Sequence, residues 1–513
     1  MASSDTLSLR LGSWLRQVGF TNGNPFATSE ADREHRLLPE FFVDTGHYDL
    51  IWGDPDIPQT ALIFAPRGGG KTAYRVMVQS QCCPADPRSD VLAVLHTYFE
   101  PILARVGTPE GVDAESHIRM ILKGGVRALL DTLCRYQERA EDFPRHQRSR
   151  LAWFLRRFAP GEVGPIKVLT RLRSVRQEFD PSWDSFRQSV REVRLRELLA
   201  CSDLLEDPVA RFLGDVVDSI PEPLDPQSPP HRLLAGFVDL ARSSELKTVY
   251  ILMDRLDEAP ETANDPEMIV NLLEPLLASL PIMETPGAAF KIFLPRLVFE
   301  PLRVCRTVRL DRLGVYGIEW EDRLLAEMLS RRLLAYSNGR IRSLAQICTS
   351  PLAEFIDQKM VEWADGSPRQ MLRLGNLFFR VHVSRPGEIS LLLTDEDWGK
   401  ACTAFFREYT PLLRVDEEMP RVFVGKRRVA LTALEHKFLF ALHRRGGWCE
   451  KEELIGEVWG VGEGVTDQAV SRLVRRIREK IEPVPSNPIY LITEHGLGFR
   501  LENVAWPRLA SNP

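Results

Sequence analysis

Residues 60–72 read TALIFAPRGGGKT, and this stretch decides the fold of the first part of the chain. The short apolar run from Ala61 to Phe64 is followed by three consecutive glycines and then by a helix-like stretch from Lys71 to Gln81. A strand, a glycine-rich loop and a helix in this order open α/β domains that bind nucleotides. The stretch therefore predicts an α/β fold with a phosphate-binding loop.

The loop matches the Walker A pattern except that Ala65 replaces the first glycine, a change that is tolerated if this position needs no positive φ. Glycines let the backbone curl so that its N–H groups face phosphates at the positive end of the following helix. Lys71 is expected to reach the β- and γ-phosphates of ATP, and the Thr72 hydroxyl to bind Mg²⁺. The predicted nucleotide-binding residues of the loop are Ala65, Pro66, Arg67, Gly68, Gly69, Gly70, Lys71 and Thr72.

A second motif lies at residues 248–258, which read TVYILMDRLDE. It is typical of a buried strand that ends in a carboxylate, Asp254, with two more carboxylates close behind. At the carboxyl end of a parallel strand, such a group lies beside the phosphate loop and can hold the Mg²⁺ of a bound nucleotide. We expect Asp254 to contribute to nucleotide and Mg²⁺ binding, and Glu258, or else Asp257, to orient the attacking water.

Two further apolar runs, Val91 to Tyr98 and Phe290 to Leu294, predict additional parallel strands with helical crossovers. Between the second and third strands, the sequence predicts a helical insertion at about residues 101–245, which is too long for a simple crossover. The helical patterns within it run from Asp113 to Cys134, His146 to Phe158, Trp183 to Leu199 and His231 to Arg242. Residues 311–408 are again helical, with Asp322 to Ser337 and Pro368 to His382 the clearest amphipathic stretches.

The form of residues 248–258 resembles the STAND class of signalling P-loop ATPases, within the broader AAA+ group. The run Phe290 to Arg296 resembles the next strand of that class, which ends in an arginine that senses the nucleotide. The segment Gly366-Ser-Pro-Arg369 resembles the sensor-2 arginine of AAA+ lids, including those of origin-recognition ATPases. The resemblance, which covers roughly residues 20–410, implies that Arg296 and Arg369 take part in catalysis and that ATP and Mg²⁺ are the cofactors.

Residues 421–503 resemble the OmpR-type winged-helix DNA-binding domain of bacterial response regulators. The resemblance rests on the runs VALT at 429–432, LEHKFLF at 434–440, EELIGEVW at 452–459, the helix predicted over 467–481, and YLITEHGLGFR at 490–500. In that family the third helix enters the major groove and the glycine-containing hairpin forms the wing. The predicted organisation is thus an ATPase core over 1–310, a helical lid over 311–408, a linker over 409–420 and a winged helix over 421–505.

The third helix of this module has an apolar stripe at helical spacing, formed by Val470, Leu473, Val474, Ile477 and Ile481. Four arginines are left to face outward or sideways, and guanidinium groups suit contacts with phosphates and guanines. The predicted DNA-binding residues are Arg472, Arg475, Arg476 and Arg478. The alternative is that these arginines form a solvated face and that the winged helix binds a protein.

The composition is that of a globular protein: of 513 residues, 27% are charged and 44% are apolar, which suits about three domains. It excludes disordered, collagen-like and disulfide-scaffold classes. No apolar stretch reaches the roughly 20 residues of a membrane span, and Arg10 and Arg16 interrupt the apolar segment near the start. The eight cysteines are scattered without zinc-ligand spacing, which indicates buried thiols in a reducing compartment. We therefore expect a cytoplasmic protein with no membrane contact.

The net charge of −5 conceals two basic regions. Residues 145–196 contain 13 Lys and Arg against 5 Asp and Glu, and residues 421–504 contain 14 against 11. The first region could be a second nucleic-acid surface, a contact that supplies an arginine to a neighbouring copy, or a set of solvated helix faces.

Taken together, the motifs predict an ATP-dependent switch whose nucleotide state controls a DNA-binding winged helix and promotes self-association. Transcriptional control is the expected output. One alternative is a sensor and assembly ATPase of a defence or stress system, in which an unknown trigger drives oligomerisation and the winged helix contacts a partner protein. Another is an origin-recognition-like or transposition-like ATPase that loads on DNA. ATP hydrolysis is expected to be slow.

Overall fold

The computed structural model describes residues 4–105, 111–163, 208–222, 228–263, 265–416, 419, 421–460, 465–494 and 496–505. The chain divides into two compact units. The sheet unit comprises the described residues of Glu30–Pro39 and Asp44–Glu319, and the winged-helix unit comprises those of Met1–Ser29, Glu40–Val43 and Trp320–Pro513. The helix predicted from Trp183 to Leu199, and much of the basic region 145–196, lie outside the described residues.

A five-stranded parallel sheet forms the centre of the sheet unit, with strand order β2-β3-β4-β1-β5. The strands are β1 (Ala61–Ala65), β2 (Val91–His96), β3 (Thr248–Met253), β4 (Ala288–Pro295) and β5 (Gly314–Gly317). Strands β1, β3 and β4 are buried along their whole length, as expected when helices cover both faces of a parallel sheet. Because all five strands are parallel, their carboxyl ends lie at one edge, where the predicted nucleotide site begins.

The helices of both units, in chain order, are α1 (Ser4–Val18), α2 (Leu38–Phe41), α3 (Tyr48–Trp52), α4 (Lys71–Ser80), α5 (Glu100–Leu103), α6 (Ala114–Arg135), α7 (Gln137–Glu141), α8 (Arg145–Phe158), α9 (Pro208–Asp218), α10 (Pro230–Arg242), α11 (Pro266–Leu277), α12 (Leu280–Met283), α13 (Phe299–Val304), α14 (Asp322–Tyr336), α15 (Ile356–Ala364), α16 (Pro368–Val383), α17 (Asp395–Glu408), α18 (Ala433–Arg444), α19 (Lys451–Trp459) and α20 (Asp467–Ile481). No helix of the described residues is both long and apolar enough to cross a bilayer.

The described part of the predicted insertion shares its core with the sheet. Apolar side chains of α6, α8, α9 and α10 lie in one buried cluster with those of the strands. Examples are Leu129 of α6, Phe154 of α8 and Phe237 of α10, all fully buried in that cluster. The described part of the insertion therefore adds to the core of the sheet unit.

The helical lid predicted over 311–408 begins later in the structure. Residues 314–317 form β5, which pairs with β1 so that Leu62 lies opposite Val315. The sheet unit extends to Glu319, and the following helices belong to the winged-helix unit. In that unit α1 also packs on α16, where the ring of Trp14 lies 5.0 Å from that of Phe379. The described residues before Glu30 thus group with these helices, although the sequence analysis assigned them to the core.

The linker predicted over 409–420 contains a strand, β6 (Leu413–Val415). It pairs antiparallel with β7 (Val422–Val424), which pairs with β8 (Arg427–Val429). Apolar residues at alternate positions of β6 and β7 are buried, and this explains why the strand joins the domain that follows. A second antiparallel sheet, of order β10-β11-β9, contains β9 (Trp448–Glu450), β10 (Leu491–Glu494) and β11 (Gly498–Leu501). Helices α18, α19 and α20 complete a winged helix.

Candidate nucleotide site and nucleic-acid interface

The glycine loop after β1 has a backbone that favours glycine at two of its positions. Gly68 and Gly70 have φ values of 74° and 92°, in the left-handed region. The N–H of Gly69 donates to the carbonyl oxygen of Pro66 at 3.0 Å, and a Cβ on Gly69 would lie 2.9 Å from that same oxygen. The loop is therefore a tight turn that ends at the N-terminus of α4, the arrangement that suits an anion.

Lys71, the first residue of α4, is only 8% exposed. Its Nζ lies 3.5 Å from Oδ2 of Asp257, which in turn lies 3.7 Å from Nε of Arg67. Arg67 also donates to the carbonyl oxygen of Asp257 at 3.2 Å. Asp257 is thus the carboxylate that the structure brings to the glycine loop, where it lies near both Lys71 and Arg67.

Glu258, the first choice for orienting water, lies at the surface. Its side chain is 61% exposed and lies 3.8 Å from the guanidinium of Arg255. Of the two candidates for this role, only Asp257 has a described contact with Lys71.

Asp254 follows β3 directly and is 1% exposed. Among the residues that the structure describes, its Oδ2 has no hydrogen-bond partner. It lies 3.5 Å from Nε of Arg75, which is 2% exposed and lies on α4 one turn after Lys71. None of the sequence motifs includes this arginine. The only signal for it in the sequence is a cation four residues after Lys71 on a helix whose neighbouring positions are apolar.

Asp32 links α4 to the segment that follows β3. Its two carboxylate oxygens pair with Arg75 of α4 and with Arg255, the residue after Asp254. Burial alone raises the pKa of Asp32, but the hydrogen bonds and charges of the two arginines outweigh it and hold that pKa below its ordinary value. Arg255 has a left-handed backbone with φ 68°, which costs about 1 kcal/mol in a residue other than glycine. Asp32 thus stays ionised and holds both arginines in place.

The two arginines that the resemblance assigns to nucleotide sensing lie in different units. Arg296 follows β4 in the sheet unit, and its exposed guanidinium pairs with Glu319. Arg369 is an exposed residue in the first turn of α16 in the winged-helix unit. The side chain of Ser367 caps that helix by accepting the N–H of Gln370. The role of Arg296 and Arg369 at the γ-phosphate remains a prediction.

The residues of the loop fit a phosphate chain, because a tight glycine turn and a buried lysine converge at a helix N-terminus. For Mg²⁺ the fit is less simple. Asp254 offers a buried oxygen without a hydrogen-bond partner, yet the same carboxylate already has a cation, Arg75, beside it. Among the residues that the structure describes, no group of three or more His, Cys, Asp or Glu side chains is arranged to hold a metal ion.

In the winged helix, α20 buries its apolar stripe and exposes most of its arginines. Arg472, Arg475 and Arg476 are exposed, and Arg475, 80% exposed, forms a pair with Glu479 one turn later. Thr466 caps the start of this helix by accepting the N–H of Ala469. Three of the four predicted DNA-binding arginines therefore face solvent.

Arg478 has a different environment. Its guanidinium donates to the carbonyl oxygen of Leu491 and to Oγ1 of Thr493, both at 2.8 Å. The side chain is half-buried and joins α20 to the hairpin of β10 and β11. Arg478 therefore helps to hold the hairpin against α20.

The hairpin is held from beneath by Glu482, a buried residue just after α20. Its carboxylate accepts the backbone N–H groups of Ile489 at 2.7 Å, Tyr490 at 3.0 Å and Leu491 at 2.7 Å. Burial raises the pKa of Glu482 even though these N–H groups favour its ionised form. The hairpin and the recognition helix are therefore held as one body.

Comparison with known proteins identifies the domain. Residues 425–501 match the family described as "Transcriptional regulatory protein, C terminal". The chain is 35% identical over 91 residues to the alkaline phosphatase synthesis transcriptional regulatory protein SphR of Synechococcus elongatus, 37% over 92 residues to the sensory transduction protein RegX3 of Mycobacterium leprae, and 32% over 93 residues to the DNA-binding dual master transcriptional regulator RpaA of Synechocystis sp..

These matches cover 17 to 18% of this chain and 35 to 46% of the length of the three relatives. The chain therefore shares a domain with them, and less than half of their length. Residues 425–501 form an OmpR-type winged-helix domain, in agreement with the sequence prediction.

Proposed function

We propose that this protein is a transcriptional regulator that binds double-stranded DNA through its winged helix and whose binding is controlled by ATP at the glycine loop. The observation that carries the DNA part is the face of α20, where Arg472, Arg475 and Arg476 are exposed beside a fully buried apolar stripe. Arginines so placed on a recognition helix suit contacts with phosphates and base edges in the major groove. The names of the relatives support the same output.

The nucleotide part is supported by the pairing of Lys71 with Asp257. A triphosphate would compete with this carboxylate for the lysine, so nucleotide binding and release of Asp257 are linked. A ligand shifts a conformational equilibrium only when it binds one conformer better than the other, and this exchange of partners supplies such a difference. In the proposed switch, Arg296 and Arg369 respond to the γ-phosphate, and the ATP-bound form associates with further copies and with DNA.

The nucleotide site is tested directly by calorimetric titration of the full chain with ATP. The variant Lys71→Ala removes a charge-assisted phosphate contact and should weaken ATP binding by about tenfold or more. Arg88→Ala, which removes a highly exposed cation after α4, is the control and should bind as the unaltered protein does. Undiminished binding by Lys71→Ala would overturn the assignment.

The output is tested by capture and sequencing of genomic DNA fragments with ATP, with ADP and without nucleotide, at physiological ionic strength, since affinity for DNA depends steeply on salt. Discrete fragments enriched with ATP and lost in Lys71→Ala are the expected result. Equal enrichment with ATP, with ADP and without nucleotide would mean that DNA binding does not depend on the nucleotide. No enrichment in any state would instead favour an assembly ATPase whose winged helix contacts protein.

A further inference from the structure

Arg75 is the most deeply buried cation of the nucleotide site, and no motif assigns it a role. It lies on α4 with its Nε 3.5 Å from the carboxylate of Asp254. Its other two guanidinium nitrogens are held by the side chains of Gln79 and Asp32. The guanidinium is therefore fixed on two sides and presents its third side to Asp254.

The contact between Arg75 and Asp254 is an ion pair at 3.5 Å without a hydrogen bond, and neither Nε nor Oδ2 has a hydrogen-bond partner among the described residues. An unbalanced carboxylate at this depth would be strongly destabilising, because burial removes it from water. The guanidinium supplies the opposite charge within the distance at which Coulomb attraction is strong. Asp254 thus has a counter-charge from the chain itself.

We propose that Arg75 is a positioning residue that balances the charge of Asp254, so that nucleotide binds to this protein with little dependence on Mg²⁺. The inference rests on the proposed nucleotide site and concerns its cofactor requirement. A divalent cation near Asp254 gains less here than beside a lone carboxylate, because Arg75 repels it and already satisfies the carboxylate charge. Asp32 contributes by holding the guanidinium from its far side.

The test is a calorimetric titration of the full chain with ATP and with a non-hydrolysable analogue, in Mg²⁺ and in excess EDTA. For the unaltered protein, removal of Mg²⁺ should weaken nucleotide binding by less than about threefold. Arg75→Gln keeps polar groups but removes the charge, so Mg²⁺ is then needed to balance Asp254. In this variant, removal of Mg²⁺ should weaken nucleotide binding by about tenfold or more.

Arg119→Gln is the matched control, because it makes the same replacement at an exposed arginine of α6, paired with Glu115. Its dependence on Mg²⁺ should equal that of the unaltered protein, whereas a general effect of removing one positive charge would make the two variants behave alike. Mn²⁺ binding followed by electron paramagnetic resonance, without nucleotide, gives a second readout: Arg75→Gln should gain a Mn²⁺ site that the unaltered protein lacks.

A loss of affinity greater than about threefold when EDTA removes Mg²⁺ from the unaltered protein would overturn the inference. An equal fold-loss in the unaltered protein and in Arg75→Gln would overturn it as well. The first of these needs no variant, so the inference stays testable even if Arg75→Gln does not fold. Failure to bind nucleotide both in Mg²⁺ and in EDTA would overturn the proposed nucleotide site itself. This result is distinct from binding that is lost only in EDTA.

Discussion

The backbone N–H of Lys426 donates a hydrogen bond of 2.6 Å to the carboxylate of Asp365, and this contact joins the helical part of the winged-helix unit to its winged-helix domain. The hydroxyl of Tyr409 donates to the same carboxylate at 3.2 Å. Burial raises the pKa of Asp365 in spite of these donors. Asp365 ends α15 in a left-handed conformation, four residues before the predicted sensor Arg369.

The next residue along the turn, Arg427, extends this connection. Its guanidinium lies 5.0 Å from the centre of the Trp363 ring and donates to the carbonyl oxygen of Lys480 at 3.1 Å, near the end of α20. A continuous set of contacts therefore runs from the loop before Arg369 to the recognition helix. Such continuity gives a physical route for coupling, although only energetic coupling between the ends demonstrates one.

The contact with Asp365 makes Gly425 sensitive to substitution. Gly425 has φ 59°, and a Cβ there would clash with the carboxylate of Asp365. Gly446 has a similar φ of 73° but no atom within 4 Å of an added Cβ, so it reports the backbone strain alone. We expect Gly446→Ala to destabilise by about 1 kcal/mol and Gly425→Ala by about 2 to 3 kcal/mol. Scanning calorimetry measures both.

The double variant Gly425→Ala, Asp365→Gly isolates the clash, because glycine suits the left-handed backbone of residue 365. It should recover part of the stability that Gly425→Ala loses. Equal losses for the two alanine variants would show that the turn can move away from Asp365 at little cost.

Asp257 and Glu258, the two acidic residues that follow Asp254, should have separable effects. Asp257→Asn removes the carboxylate that competes for Lys71, so we expect ATP to bind about three- to tenfold more tightly. Glu258→Gln alters an exposed side chain and should leave ATP affinity unchanged while slowing hydrolysis. Titration and phosphate release measure the two effects. If Asp257→Asn rather than Glu258→Gln slows hydrolysis, the water-orienting role belongs to Asp257.

Local patterns predicted those elements whose signals lie within a few residues of each other. Strand β3 lies within the predicted motif 248–258 because an apolar run is flanked there by polar residues. Helix α20 has the predicted bounds because its apolar stripe keeps helical spacing throughout. Strand β5, Gly314–Gly317, was missed, since two of its four residues are glycines and it is partly exposed. Only its pairing with β1 makes it a strand.

The same division holds for the candidate site. The glycine loop and the strand-end carboxylate are local motifs, so the sequence alone was enough to propose them. The network of Asp32, Arg75 and Asp254 joins positions more than 200 residues apart, and no spacing in the sequence brings them together. Arg478 was grouped with the exposed arginines because its contact with the hairpin depends on tertiary structure.

The helical part of the winged-helix unit should lose stability in acid through Asp397. This buried carboxylate accepts hydrogen bonds from a ring nitrogen of His382 at 2.9 Å and from the N–H of Thr394 at 3.0 Å. Burial alone raises its pKa, but these bonds and the charge of His382 lower it overall. A carboxyl group whose pKa is lower in the folded chain stabilises the fold above its unfolded pKa and loses this effect as the pH falls through the folded value.

We therefore expect the unfolding temperature to fall as the pH drops below about 4, the range in which an unfolded aspartate titrates. Asp397→Asn should be less stable at neutral pH and should show a shallower fall below pH 4. Scanning calorimetry across this range measures the slope. The same slope in both proteins would mean that other carboxylates control the acid transition.

The face of α20 is tested with the double variant Arg472→Ala, Arg475→Ala. Both side chains are exposed, so the variant should unfold at the same temperature as the unaltered protein. If each arginine contacts a phosphate, DNA affinity should fall, and the slope of log affinity against log salt should decrease by about 2. Arg444→Ala, Arg445→Ala removes the same charge from the end of α18, where both arginines pair with Glu457, and is the control.

Arg478→Ala should behave in the opposite way. It removes the hydrogen bonds to Leu491 and Thr493 that hold the hairpin on α20, so we expect a loss of about 1 to 3 kcal/mol in unfolding free energy.

For all these arginine variants, fluorescence anisotropy with a captured DNA fragment gives the DNA affinities, and scanning calorimetry gives the stabilities. An unchanged salt slope in Arg472→Ala, Arg475→Ala would exclude this face as the DNA contact, whereas a decreased slope with unchanged stability would assign both arginines to the phosphate backbone.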